Sequence, residues 1–186
     1  MDQNTLSDAE FALLGLISET GSISGYGLMM LAATRGMSHW ANLSASNVYK
    51  HLKALRGTDL IDTIHDVEKR GRGPSGLLYS SSAHGHLVLR NLVEQSIVDA
   101  REQSTSFKLA LAFSGCVPAK RLATLFSSRE SKLRSRLADI EAAKMAQPNT
   151  AESRSASLLF EYVMQGVAHE VQMARNFAQL ITGECS

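Results

Sequence analysis

The chain of 186 residues has few covalent or membrane devices to hold it. It has two cysteines, Cys116 and Cys185, too few and too far apart for a disulfide framework or a zinc motif. Reduced thiols in a cytoplasmic setting are the simplest reading. No run of about 18 apolar residues is present, so no membrane span is expected. The opening "MDQNTLSDAE" is acidic and polar, unlike a secretory signal. Net charge is nearly lacking too. The 19 basic and 18 acidic residues leave +1, so any attraction to a polyanion must come from local clustering. Chemistry is equally sparse. No Ser-His-Asp or Cys-His arrangement is recognisable, and an enzyme is not expected. His84 and His86 flank Gly85 without a Cys, Asp or Glu to complete a metal site. No cofactor motif is found: "GRGPSG" lacks the lysine-serine ending of a phosphate-binding loop.

What is there is a helical pattern over a sufficient core, with 44% hydrophobic residues. Ser7 and Glu10 form a capping box ahead of Phe11, Leu14 and Ile17, which share one helical face, and Gly21 stops that helix. Ser24 starts a second helix with Leu28, Leu31 and Ala32, ended by Gly36. "MSHWANLS" connects onward. Ser44 caps a third helix, where Val48, Leu52 and Leu55 share one face and Asn47, Lys50 and Lys53 lie largely opposite. "LIDTIHDV" and "LLYSS" read as strands on either side of "EKRGRGPSG", and Ser82 caps the next helix. Three helices followed by a hairpin describe a winged helix. The remainder is helical. Pro118 opens a stripe of Leu122, Phe126, Leu133, Leu137 and Ile140, Pro148 breaks it, and the last helix carries Leu159, Val163, Val167, Val171 and Ile181. Neither stripe has an evident third or fourth helix to meet. A two-fold dimer would bury both; packing on the N-terminal domain of a monomer is the alternative.

Charge gathers where a winged helix would meet DNA. Residues 44–79 hold six basic and four acidic residues, whereas 1–43 hold one basic and four acidic. The first turns of the third helix, with Ser44, Ser46, Asn47, Tyr49, Lys50 and Lys53, are placed to reach base edges and phosphates. Asn suits adenine, and Lys suits guanine or a phosphate. Tyr26 in the second helix joins this set. In the hairpin loop Lys69, Arg70 and Arg72 are set among glycines that let the backbone approach a duplex closely. Each taken singly also fits a solvated surface. Trp40 suits packing first, with a ligand platform as the alternative.

The stretches "ALLGLISETGSISGYGLM", "SNVYKHLKAL" and "GRGP…LLYSSSAHG", with Trp40 between the first two, resemble the PadR family of bacterial transcriptional regulators. The resemblance covers about residues 9–90. It implies an N-terminal winged helix and a C-terminal helical domain that dimerises, in the subgroup where that domain is complete. Three positions depart from the family pattern. Asp59 replaces a glycine in a turn, Lys50 replaces a proline after the third-helix tyrosine, and Leu77 and Leu78 replace basic residues before Tyr79.

The expectation is a mainly α protein. Residues 1–104 form a winged helix-turn-helix domain and 105–186 an all-helical dimerisation and effector domain. Its function is a homodimeric, cytoplasmic repressor that binds a double-stranded operator and answers to a small aromatic effector. A winged helix that binds a protein instead of DNA is the rival. Replacing Arg70 and Arg72 by Ala should leave the circular dichroism unchanged and weaken operator binding. The slope of log affinity against log salt, read by fluorescence anisotropy, should become shallower by about 0.9 per lost phosphate contact. Unchanged affinity and slope would make the loop an ordinary surface turn.

Overall fold

A computed structural model describes residues 6–65, 76–101, 104–147 and 153–183. The elements run α1 (Asp8–Thr20), β1 (Ile23–Ser24), α2 (Gly25–Thr34), α3 (Met37–Trp40), α4 (Val48–Arg56), β2 (Ile61–His65), β3 (Leu77–Ser81), α5 (Ala83–Val98) and α6 (Thr105–Ala112). A single 3₁₀ turn, Ser114–Cys116, precedes α7 (Ala119–Met145) and α8 (Ser153–Gly183). This is a winged helix followed by long helices. No helix among the described residues is long and apolar enough to cross a membrane.

The chain makes two compact units that interleave. One holds the residues up to Val93 together with Thr105–Cys116; the other holds Glu94–Ser104 and the residues from Val117 onward. The expected boundary between 104 and 105 therefore does not hold for α6, which belongs with the winged helix. Packing explains this. Phe107, Leu109 and Ala110 of α6 are buried, Ser106 Oγ donates to Asp8 of α1 at 3.1 Å, and the Phe11 and Phe113 rings lie 6.4 Å apart.

At the start of α1, Ser7 Oγ accepts from the Glu10 N–H at 3.4 Å, and the Glu10 carboxylate accepts from the Ser7 N–H at 2.8 Å. The expected single apolar face is exceeded, because every residue from Phe11 to Ile17 is buried. The three strands form an antiparallel sheet in the order β1-β3-β2. Tyr79 of β3 stands between Ile23 and Thr63. β1 is too short to leave a period in sequence. Asp59 adopts φ 55°, the left-handed backbone for which a glycine is the usual choice. Ser82 pins that turn by donating to the Asp59 carbonyl at 2.8 Å, and it caps α5 by accepting from the Gly85 N–H at 2.9 Å.

In the second unit, α7 and α8 pack on each other. Leu133 and Val167 are fully enclosed and Val171 nearly so, with Leu137, Ile140 and Val163 packed around them. Parts of the two stripes thus close on each other within one chain. Leu159 does not follow its stripe inward: it is exposed on α8 with Leu158 and Tyr162.

Arg129 of α7 is the largest fully buried side chain. Its guanidinium donates to the carbonyls of Ile97 (3.3 Å), Asp99 and Arg101 (3.3 Å), and to the Glu170 carboxylate of α8 at 3.0 Å. The last carbonyls of a helix have no partner within it, and here a cation supplies one. Removing one member of a buried ion pair strands the other. Arg129→Ala should cost about 3–5 kcal/mol in denaturant unfolding of the full chain. A loss under about 1 kcal/mol would show that water replaces the guanidinium without penalty.

Candidate nucleic-acid interface

Helix α4 is two-sided. Val48, Leu52 and Leu55 are buried. Tyr49, Lys50, Lys53 and Arg56 are exposed, and no acidic residue lies in the helix. The inner face fixes the helix against α1 and α2, which leaves the cationic face to solvent. His51 faces inward, its Nδ1 at 3.5 Å from Glu10 Oε1. Burial alone would raise the Glu10 carboxyl. The hydrogen bonds from Ser7 and the interaction with His51 outweigh it and hold the group below its ordinary value.

The approach to α4 differs from the expected cap. The helix starts at Val48, and Ser44 is not its N-cap. Residues 44–47 form a turn instead, closed by the Asn47 N–H donating to the Ser44 carbonyl at 3.1 Å. Asn47 Oδ1 accepts from the Ser44 N–H at 2.9 Å, and Asn47 Nδ2 donates to the Asn42 carbonyl at 2.9 Å. Ser44 and Ser46 share a hydrogen bond between their hydroxyls at 2.9 Å. Of the residues singled out here, Ser46, Tyr49, Lys50 and Lys53 are exposed, whereas Ser44 and Asn47 are half-buried.

Tyr26 is 62% exposed on α2, and Met30, one turn on, is exposed as well. Tyr49 joins this surface to α4. Its ring lies over the buried Gly25, where an added Cβ would fall 2.7 Å from Tyr49 Cε1. Two contributors were not in the sequence-based set, Arg56 and Met30. Arg56 could have been found from its place three residues after Lys53 in a helix without acids. Lys69, Arg70 and Arg72 lie outside the described residues. Trp40 is half-buried and donates its indole N–H to the Arg35 carbonyl at 3.0 Å, which ties it to the end of α2. It does not line a cavity of about 850 Å³ in this unit, among α1, α5 and the Ser114–Cys116 turn. That cavity is lined by Gly15, Ser18, His86, Arg90, Phe113 and Cys116 among others, with the Ser18 hydroxyl and His86 Nδ1 in a hydrogen bond at 2.9 Å.

No protein-family model and no curated protein matches the chain. Among solved structures the chain is similar to PadR of Bacillus subtilis in complex with operator DNA, at 18% identity over 92% of this chain and 98% of that one, with a TM-score of 0.40. The same regulator in complex with p-coumaric acid is similar at 18% identity, over 94% and 96% of the two chains, with a TM-score of 0.38. The PadR-like transcriptional regulator BC1756 of Bacillus cereus gives 13% identity, 95% and 99% coverage, and a TM-score of 0.38.

Gly25 offers a test of the surface that leaves the core alone. Because the clashing atom belongs to an exposed ring, Gly25→Ala should displace Tyr49 with little change in melting temperature. Binding to DNA recovered with the wild type should weaken by about 1 kcal/mol or more, the scale of one good contact. Unaltered affinity would remove Tyr49 from the interface.

Proposed function

We propose that the protein is a sequence-specific DNA-binding transcriptional regulator of PadR type that acts as a homodimeric, effector-responsive repressor. One observation carries the reading: α4 buries Val48, Leu52 and Leu55 and turns Ser46, Tyr49, Lys50, Lys53 and Arg56 outward from the turn and helix that a winged helix inserts into the major groove. Three cations on one short helix attract phosphates, while a hydroxyl, a phenol and an amine at its start suit base edges. Lys69, Arg70 and Arg72 of the wing would add phosphate or minor-groove contacts.

Self-association is supported by α8. Leu158, Leu159 and Tyr162 are exposed at 69, 63 and 74%, outside the seam that α7 and α8 close between themselves. A second copy would cover them and set two reading helices on one duplex. A small aromatic effector is assigned to the cavity of the first unit, where the Phe113 ring and the Arg90 cation offer stacking and charge. Trp40 is not needed for it. Binding there would shift α5 against α1 and change how α4 is presented. Repression follows if the occupied operator overlaps a promoter.

The exposed Tyr26, Met30 and Tyr49 also suit a protein partner, which is the second reading. One experiment separates the two. Genomic fragments retained by the full-length protein should converge on a short sequence with two-fold symmetry. Retention of fragments without a shared sequence, or of none, would favour the protein-binding module. In the same preparation, Leu159→Asp with Tyr162→Asp should convert a micromolar dimer to a folded monomer by light scattering. Unchanged mass would place any self-association elsewhere.

A further inference from the structure

Asn47 is the residue that a reader of the sequence would first assign to base recognition. Its side chain is held otherwise. Oδ1 takes the Ser44 N–H and Nδ2 gives to the Asn42 carbonyl, both at 2.9 Å, so one amide spans the turn that leads into α4. Asn42 stands at φ 54°, a left-handed backbone that a side chain like its own accepts but does not strongly prefer. Leu43, between the two bonded residues, is 1% exposed. The turn is therefore fixed from below by an apolar anchor and from the side by an amide. Asn47 itself is half-buried, whereas Ser46, Tyr49 and Lys50 around it are exposed. No side-chain hydrogen bond caps α4. A helix started without a side-chain cap frays at its first turn, and that first turn bears Tyr49 and Lys50.

We infer that Asn47 is a positioning residue for the DNA-reading surface: its amide locks residues 42–47 so that Ser46, Tyr49 and Lys50 enter the groove as one rigid group. This rests on the DNA-binding reading for its consequence, but the lock itself does not. A direct base contact by Asn47 would be limited to the second Oδ1 lone pair and the second Nδ2 hydrogen that the two backbone bonds leave over, on a side chain that is half-buried.

The lock is tested first on the free protein. By hydrogen exchange, the Ser44 amide should be slow in the wild type and much faster in Asn47→Ala. Asn47→Asp keeps the acceptor for that N–H and loses the donor to Asn42, so it should protect the amide in part. An unchanged Ser44 exchange rate in Asn47→Ala would overturn the proposal whatever the protein binds. The consequence is tested on a fragment retained by the wild type. A double-mutant cycle of Asn47→Ala with Lys50→Ala should be non-additive, with the second change costing several-fold less once the lock is gone. The cycle with Arg56→Ala, at the far end of α4, should be additive. Single-base variants of the fragment should show preference flattened at several adjacent positions. Loss of preference at one base pair alone, with an additive Lys50 cycle, would make Asn47 a direct reader and overturn the inference. If the wild type retains no fragment, the DNA-binding reading fails while the exchange result on the lock still stands.

Discussion

A helix with no polar face must be enclosed. From Phe11 to Ile17, α1 offers nothing to water, and each of its large side chains is worth about 1.5–3 kcal/mol when fully buried. Burial on all sides demands neighbours on all sides, and the winged helix is the set of neighbours. α2, α4, α6 and β3 all pack on α1. The closest approach is at Gly15, where a Cβ would stand 2.4 Å from the Phe113 ring. That lack of space draws residues 105–116 back to the first unit, across an interval of chain that belongs to the second. The domain division thus follows from one helix that could not be left half covered.

The same enclosure makes α4 an instrument. Leu52 and Leu55 have no freedom to turn outward once they fill the groove beside α1, and His51 meets Glu10 at the start of that helix. The rotation of α4 is thereby set, and with it the direction of Tyr49, Lys50, Lys53 and Arg56. Tyr49 rests on Gly25 of α2, so this exposed surface is shared between two helices, each fixed by the core rather than by solvent-side contacts. On the proposed DNA-binding reading, recognition would depend on residues that never touch DNA, which is the usual requirement for a rigid site. In the second unit Arg129 has a comparable place. It is a buried cation whose partners are the Ile97 carbonyl in the last turn of α5, the Asp99 and Arg101 carbonyls beyond that helix, and the carboxylate of Glu170 on α8.

Much of the fold was legible because helix signals are local. The Ser7–Glu10 box, the Ser24 cap and the Val48–Leu52–Leu55 face stand in the structure as read, and so do the Gly21 stop and the turn at Asp59. What escaped depends on distant partners or is too short to repeat. β1 has two residues and exists because β3 lies beside it; α3 is a single turn. The burial of every residue from Phe11 to Ile17 hid behind a spacing that also fits one face. Ser44 was misread as a cap because Ser before a helical run is a strong signal, whereas here the bond runs the other way, from the Ser44 N–H to the Asn47 side chain, and the helix starts after Asn47. In the site, charge and exposure at Lys50 and Lys53 follow from helical period alone. The role of Asn47 could not be read from spacing, since it rests on bonds to Asn42 and Ser44.

The central claim is that two copies of this chain place α4 in successive major grooves of one operator. Hydroxyl-radical footprinting of the full-length protein on a retained genomic fragment tests it most directly. The account predicts two protected segments related by two-fold symmetry, their centres about 10 base pairs or a multiple apart, with the same spacing on both strands. A single protected segment without symmetry, or uniform protection that follows protein concentration and not sequence, would contradict it.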